Sequence, residues 1–189
     1  MESQGKNYFK LFRETCKAIN SSLNLSKVLD LITESMIAAL KVKACTVFLW
    51  NKKQSTLEVS ATRGLNEAYL QKGVIDADRS MAETLQGESV LISDVASDSR
   101  VQYPEEAKKE GIASIFSVPI SVKDHIIGVL RIYMSEKRDF TEDQVEFITG
   151  LADMSGIAID NARMYDHLKA DHERLISETH QWFQFGKMP

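Results

Sequence analysis

Hydrophobic residues recur at spacings of three and four along the first forty positions of the chain, a pattern that predicts two helices. The first is predicted over residues 8–23 and the second over residues 26–40, where Ser26 is a good N-cap residue. The first stripe consists of Tyr8, Leu11, Phe12, Thr15 and Ile19. The second consists of Val28, Leu29, Ile32, Met36, Ala39 and Leu40. Residues 21–25 are expected to form the corner between the two helices.

The period then changes from helical spacing to the alternation and β-branched composition of strands. Residues 44–50 and 57–63 form one predicted hairpin, joined by the polar run 51–55. The following segment, residues 66–112, is less regular. It is expected to contain short helices at 80–86 and 104–110 and a short strand at 90–93.

A second predicted hairpin follows this irregular segment. Its strands are residues 115–122 and 126–134, and Lys123 and Asp124 supply the turn. Pro119 lies inside the first of these strands, which indicates an edge or a bulge, because proline cannot donate a ladder hydrogen bond. Helices that flank hairpins are typical of an α+β fold with an antiparallel sheet and helices on one side.

The last predicted helix has the strongest start signal in the sequence, the capping box T-x-x-Q formed by Thr141 and Gln144. No residue forces this helix to end before Gly186. Beyond Gly150 it carries a heptad repeat: Leu151, Met154, Ala158, Asn161, Tyr165, Leu168, His172, Leu175, Thr179 and Trp182. A helix over residues 142–182 would be about 60 Å long. It would therefore project from a compact domain whose radius of gyration is only about 16 Å.

A projecting apolar seam predicts a partner helix, and the simplest partner is the same helix in a second copy. The predicted homodimer interface comprises Leu151, Met154, Ala158, Asn161, Tyr165, Leu168 and Leu175. From Leu151 to Asn161 the same spacing also describes a core face packed on the sheet, and we accept that interpretation for this first half, but it does not account for Leu168, Leu175 and Trp182. A second alternative is that the aromatic end of the chain, residues 182–185, docks back onto the domain or onto a neighbour. The predicted division is a domain over residues 1–165 and a projecting helix and tail over 166–189.

Composition and charge narrow the classes of function. The net charge is -4, from 23 basic and 27 acidic residues among 189, which disfavours nucleic-acid binding. The sequence contains no apolar run of the roughly 18 residues that would cross a bilayer. Residues 1–10 lack the apolar core of a signal peptide, so we expect a cytoplasmic protein that does not insert into membranes. In a reducing cytosol Cys16 and Cys45 are expected to be free thiols.

Catalytic motifs are missing from the sequence. It contains no G-x-S-x-G, P-loop, G-x-G-x-x-G or H-E-x-x-H pattern. No cysteine lies near a histidine in the sequence, so we expect no zinc site. No other metal and no cofactor is predicted. Cys16 and Cys45 fit small core positions better than nucleophiles. In the run SDVASDSR, Asp94 and Asp98 could act as paired carboxylates. The better interpretation is that they cap or turn the backbone and that Arg100 neutralises them.

The run IIGVLRIYM places Arg131 in the middle of a predicted strand. Its apolar face, with Leu130 and Ile132, should meet the helices, so Arg131 and Tyr133 should face a partly polar space on the other side. One interpretation is a solvated strand face. The other is a concave pocket covered by residues 66–112, where an arginine suits an anionic or carboxylate ligand.

Four segments in order, VLISDVASDSRV, GIASIFSVPI, HIIGVLRIYM and FTEDQVEFITGLADMSGIAIDNARMY, resemble the GAF domain family, over roughly residues 8–165. The resemblance implies a central antiparallel sheet of five or six strands, with N- and C-terminal helices on one face. It also implies a small-molecule pocket on the other face, roofed by residues 66–112. The family's pocket positions match Ser80, Met81, Asp98, Arg100, Ser114, Ser117 and Arg131, and the strand pattern adds Tyr133.

The same resemblance limits the choice of ligand. Cyclic-nucleotide binders of the family carry an Asp-Glu pair four residues after a phenylalanine, whereas Phe140 is followed at that spacing by Gln144 and Val145. Neither Cys16 nor Cys45 fits the pocket cysteine of bilin carriers, and the several cysteines of the methionine-sulfoxide reductases are missing.

We therefore expect a non-catalytic sensory or regulatory domain that binds a small, anionic molecule and signals through a dimeric C-terminal helix to an output protein. The first alternative is a structural dimerisation module whose pocket is vestigial. The second alternative is a small redox enzyme of the same fold.

Overall fold

The computed structural model describes residues 2–51, 56–73 and 75–185. Most of the polar run predicted between the first two strands therefore lies outside the described residues. The helices are α1 (Glu2–Ile19), α2 (Leu25–Leu40), α3 (Glu67–Leu70), α4 (Ala77–Ser80), α5 (Ala82–Leu85), α6 (Pro104–Lys109) and α7 (Glu142–Phe185). The strands are β1 (Ala44–Asn51), β2 (Thr56–Arg63), β3 (Val90–Ile92), β4 (Ser114–Val122) and β5 (His125–Met134).

The N-cap predicted for the second helix is wrong by two residues. Helix α2 begins at Leu25, and its cap is Asn24, whose side chain accepts a hydrogen bond of 2.9 Å from the backbone N–H of Lys27. Ser26 lies inside the first turn instead. Asparagine and serine are comparably good caps, so residue preference alone could not choose between them.

The five strands form one antiparallel sheet in the order β2-β1-β5-β4-β3. Both predicted hairpins are present, and the sheet and its helices confirm the predicted α+β class. The pairing of β4 explains how the sheet accommodates Pro119, where the sequence indicated an edge or a bulge. β3 pairs with β4 only as far as Ser117, so Pro119 lies where β4 has a neighbour on one side alone, and a register shift follows between Ile120 and Ser121.

Alternation along the central strands divides the interior into two parts. On β5, Leu130 and Ile132 pack into the core beneath α1, α2 and α7. Val129 and Tyr133 belong to two smaller clusters on the opposite face of the sheet. The predicted orientation of this strand is therefore confirmed, and it aims Arg131 away from the helices.

Helix α7 begins as the capping box predicts. The backbone N–H of Thr141 donates to Gln144 Oε1 over 3.0 Å, and the backbone N–H of Gln144 donates to Thr141 Oγ1 over 3.3 Å. The helix then continues without interruption for 44 residues, about 66 Å. Among the α7 side chains that the structure describes, Ala162 is the last buried one, and every one from 164 to 177 is exposed.

The first part of the predicted dimer seam belongs to the core of the domain. Leu151 and Ala158 are buried within the chain, and Met154 is half-buried, so assigning Leu151 and Ala158 to an intermolecular interface was wrong. A face that packs on a sheet and a coiled-coil seam share spacings of three and four over a few turns. The exposed part of the predicted seam consists of Asn161, Tyr165, Leu168, His172 and Leu175.

The seam predictions at Thr179 and Trp182 fall on side chains outside the described part of the structure, as do the docking alternatives at Phe183 and Phe185. Three further apolar side chains, Ile157, Met164 and Ile176, are also exposed on the described part of α7. Among the described helices, none is long and apolar enough to cross a membrane.

Candidate ligand-binding site

The face of the sheet opposite the long helices is covered by the irregular middle of the chain. Helices α3 to α6 and their connecting loops, within residues 64–113, form this roof. Two small apolar clusters hold it in place. One joins Tyr69, Val101 and Ile112 of the roof to Ile115 and Tyr133 of the sheet, and the other joins Met81 to Phe48 and Val129. The roof therefore has little apolar area to anchor it compared with the helix side.

Arg131 lies under this roof with only 4% of its surface exposed. Its Nε donates to Ser117 Oγ across the strand pair, over 3.1 Å. Its Nη2 donates to the backbone oxygen of Ser80 over 2.6 Å and to Ser80 Oγ over 3.1 Å. The guanidinium carbon also stands 5.9 Å from the centre of the Phe48 ring. Arg131 thus ties the sheet to the end of α4 through neutral oxygens.

Two tyrosines and a lysine complete the surroundings of Arg131. The Tyr69 and Tyr133 rings meet edge to face, with their centres 6.2 Å apart. Lys72 Nζ lies 3.7 Å from the centre of the Tyr69 ring and donates to the Tyr69 carbonyl over 3.0 Å. Burial, reinforced by the positive charge of Arg131 and opposed by Glu106, lowers the pKa of Lys72 to about 8.

Two cavities adjoin one another beneath and beside the roof. The one against Arg131 has a volume of about 20 Å³, enough for one or two water-sized atoms, and is also lined by Tyr69, Lys72 and Ser80. The other measures about 370 Å³ and lies over β1 and β2. Lys72 and Ile75 line both cavities. The larger volume is within the range of small-molecule pockets.

Three of the predicted site residues, Ser80, Ser117 and Arg131, are brought into direct contact by the fold. Tyr133 lines the larger cavity, next to them. Met81 is buried against Phe48 and the sheet, where it seats the roof.

Asp98 and Arg100 form an ion pair at the rim rather than part of the Arg131 cavity. Arg100 Nη2 lies 2.7 Å from Asp98 Oδ2, and its Nη1 lies 2.9 Å from Glu83 Oε2. The pKa of Asp98 is lowered, mainly by this hydrogen bond from Arg100. Asp94 instead pairs with Lys137 over 2.6 Å, so the expectation that Arg100 neutralises both aspartates was wrong for Asp94.

Ser114 lies on the wrong face of β4 for the cavity around Arg131. It has the same parity as Phe116 and Val118, which point into the helix-side core, whereas Ser117 has the opposite parity. Its hydroxyl donates to the backbone oxygen of Glu136 over 2.7 Å. Two serines three apart on a strand cannot share a face, so the pairing of Ser114 with Ser117 was inconsistent with the strand itself.

Tyr69, Lys72 and Ile75 were missed by the sequence reasoning. They lie in a segment without periodicity, and their approach to Arg131 depends on how the roof folds over the sheet. The asparagine at 66, a good N-cap before a glutamate, was the one local signal for α3. Its side chain does accept a hydrogen bond of 2.7 Å from the Tyr69 N–H.

Both cysteines lie away from the roofed cavities. Cys45 is completely buried in the helix-side core, and Cys16 of α1 packs against the same core. Burial raises the pKa of both thiols. These positions confirm the prediction that Cys16 and Cys45 are small core residues.

The buried ionisable side chains predict a characteristic dependence of stability on alkaline pH. Burial is the main cause that raises the pKa of Tyr69 and of Tyr133. The unfolded chain therefore loses these protons near pH 10 while the folded chain retains them, so stability falls as the pH rises above about 10. Lys72 acts in the opposite sense, because its folded pKa of about 8 lies below the ordinary 10.5. It adds stability as the pH rises from about 8 to 10.

Urea unfolding measured at a series of pH values checks this expectation. Lys72→Met should remove the gain between pH 8 and 10, and the double variant Tyr69→Phe/Tyr133→Phe should reduce the loss above pH 10. An unchanged alkaline loss in the double variant would contradict the assignment to these tyrosines.

Comparison with known proteins places this fold in a family of modules. The GAF domain family model matches residues 24–159, so the chain belongs to the GAF domain family. The GAF domain of a phosphoenolpyruvate-protein phosphotransferase from Coxiella burnetii superposes with a TM-score of 0.76 at 22% identity, covering 86% of this chain and 98% of that one. The free methionine-R-sulfoxide reductase of Neisseria meningitidis superposes with a TM-score of 0.72 at 15% identity, covering 86% and 93%. These two likenesses concern the fold alone.

Two curated relatives are regulatory proteins. The methyl sulfide methyltransferase-associated sensor of Methanosarcina acetivorans is 28% identical over 164 residues, 83% of this chain and 16% of the sensor. The formate hydrogenlyase transcriptional activator FhlA of Escherichia coli K12 is 20% identical over 183 residues, 92% of this chain and 26% of the activator. The chain therefore spans between a sixth and about a quarter of the length of these relatives. Its GAF fold is a sensory or regulatory module in such proteins.

Proposed function

We propose that this GAF domain is a non-catalytic sensor that binds a small molecule between its sheet and its roof. The observation that carries the proposal is the pair of adjoining cavities, which share Lys72 and Ile75. A roof attached by small clusters can shift when a ligand enters, whereas the helix-side core is extensive. Binding changes the population of roof positions only if the ligand has different affinities for them.

The output of the sensor is proposed to pass through the exposed part of α7 in a homodimer. Leu168 and Leu175 are 63% and 58% exposed, one heptad apart, and both follow Ala162, the last buried residue in the described part of the helix. Exposed leucines at this spacing among charged residues are typical of a coiled-coil seam. The β4 strand contributes Ser117 to the Arg131 contacts and packs its other face against α7, so it links the roofed site to the helix.

The relatives support a regulatory role, since one is a sensor and the other a transcriptional activator. An output protein or domain is accordingly proposed as the partner of α7.

Two other functions make different predictions for the same site. A structural dimerisation module would leave the cavities without a ligand, and the smaller cavity, at about 20 Å³, is the observation that favours it. A redox enzyme would need a cysteine at the site, whereas Cys16 and Cys45 pack on the other side of the sheet.

Native mass spectrometry of the purified protein tests the sensor and its dimer together. We expect a dimer carrying a bound small molecule, and we expect Leu168→Glu/Leu175→Glu to yield monomer, because four charges would be placed in one seam. The matched control is Ala170→Glu/Ser177→Glu, which adds the same charges to the same helix two positions away from the seam. A monomeric wild type, or a control that dissociates as fully as the seam variant, would refute the proposed dimer.

A further inference from the structure

The guanidinium of Arg131 is a buried cation without an acidic partner in the part of the chain that the structure describes. Its Nε and Nη2 donate to the hydroxyls of Ser80 and Ser117 and to a backbone carbonyl, and it also forms a hydrogen bond with the Tyr133 side chain, all of them uncharged partners. No described carboxylate lies within 4 Å of it, whereas Arg100 in the same roof has two. Buried charges are normally paired, because removal from water costs far more than hydrogen bonds to neutral groups return.

A second cation beside the cavity, Lys72, increases the excess of positive charge around Arg131. Lys72 lines the same space, and the charge of Arg131 is one of the causes that lower its pKa. Glu110 pairs with a different cation, since its Oε1 lies 3.2 Å from Lys43 Nζ, while its buried Oε2 has no hydrogen-bond partner among the described residues. Glu106 is the acidic side chain that opposes the shift of Lys72. Two cations thus face one cavity, where a single negative charge would stabilise both.

The sizes of the two cavities and the residues that line them indicate which chemical group of the ligand carries that negative charge. The space against Arg131 is small, about 20 Å³, and a planar carboxylate needs less room there than a tetrahedral phosphate with four oxygens. The adjoining cavity of about 370 Å³ is lined mainly by apolar side chains, among them Phe48, Leu57 and Leu65. Because Lys72 and Ile75 border both spaces, a ligand with one charged end and an apolar body would fill them together.

Resting on the proposed sensor function, we infer that the ligand is a monocarboxylate with an apolar body. Its carboxylate lies between Arg131 and Lys72, and its hydrocarbon part occupies the larger cavity. Ser80, at the end of α4, shares the guanidinium with the ligand, so the occupied site holds the roof against the sheet. This arrangement gives the buried cation beneath the lightly anchored roof a partner of opposite charge.

A series of straight-chain carboxylates tests this inference on the purified protein. Acetate, butyrate, hexanoate and octanoate are titrated by calorimetry at pH 7, alongside hexanamide and inorganic phosphate. Each added methylene that enters the cavity is expected to tighten binding by about fourfold. Hexanoate should bind at least tenfold more tightly than hexanamide, because the amide lacks the charge that Arg131 and Lys72 neutralise.

Two variants and a control connect the affinity to the residues. Arg131→Met should weaken hexanoate binding by about 10- to 100-fold, while its melting temperature without ligand should change little, because the unpaired buried charge is removed together with its hydrogen bonds to Ser80 and Ser117. Lys72→Met, at a less buried position, should weaken binding by several-fold. Arg100→Met, in the rim ion pair, should leave hexanoate affinity unchanged.

Three outcomes would overturn the inference. These are equal binding of hexanoate and hexanamide, binding of phosphate without binding of any carboxylate, and undiminished hexanoate binding by Arg131→Met. If native mass spectrometry finds a neutral molecule bound to the dimer, the proposed sensor function is supported and only the inferred class of ligand is refuted.

Discussion

Gly156→Ala is expected to destabilise the domain by about 2–3 kcal/mol, although alanine is the better helix former. Gly156 lies on the face of α7 that packs on β4, and a Cβ atom there would overlap the backbone oxygen of Ser121. Because the obstacle is backbone rather than a flexible side chain, the helix must move away from the sheet to admit the methyl group. For a domain of this size, the melting temperature should fall by roughly 5–10 °C.

Gly150→Ala is the matched control on the same helix. A Cβ atom at Gly150 would lie 3.1 Å from Cε2 of the Phe12 ring, a side chain that can shift by a few tenths of an ångström. Removing a helical glycine gains up to about 1 kcal/mol, so this variant should be neutral or slightly stabilised. Urea unfolding of both variants measures the contrast, and equal effects at the two glycines would contradict the close contact between α7 and β4.

Leu151→Ala is expected to cost about 2–5 kcal/mol of unfolding free energy, because Leu151 is 1% exposed within the helix-side core. The lost transfer free energy of the side chain and the cavity left between α7 and the sheet both contribute. The same heptad pattern contains Leu168, which lies beyond the part of the pattern that also fits a core face.

Leu168→Ala separates the two roles of that heptad. Its side chain is 63% exposed in the single chain, so the stability of the monomer should change by less than about 0.5 kcal/mol. Its effect should appear instead as a weaker dimer. Urea unfolding at protein concentrations below the dimer dissociation constant measures the first quantity, and sedimentation equilibrium measures the second. A large loss of monomer stability in Leu168→Ala would mean that this part of α7 folds back onto the domain.

Much of the fold could be predicted from local patterns. Each hairpin is encoded by alternation along contiguous residues, and the start of α7 is encoded by Thr141 and Gln144, three positions apart. The orientation of β5 followed from the same alternation, because Leu130 and Ile132 needed a core and Arg131 did not. These features depend on interactions within a few residues of one another.

The site was predicted only in part, because its members come from distant elements. Arg131 and Ser117 could be chosen from their strands, whereas Tyr69 and Lys72 meet them through a roof without periodicity. Arg100 and Arg131 illustrate the limit. Both are arginines near serines in the sequence, yet one is neutralised by Asp98 and Glu83 at the rim and the other is buried beside a cavity.

By itself, the sequence determined the α+β class, the two hairpins, the length of α7, and the arginine aimed away from the helices. Periodicity and capping chemistry are sufficient for these, since they act between near neighbours in the chain. Tertiary structure alone decided where α7 passes from core into solvent, which charges found partners, and how much space the roof leaves over the sheet. Those outcomes depend on packing between elements far apart in the chain, and the residue pattern of a single element does not specify which element packs against it.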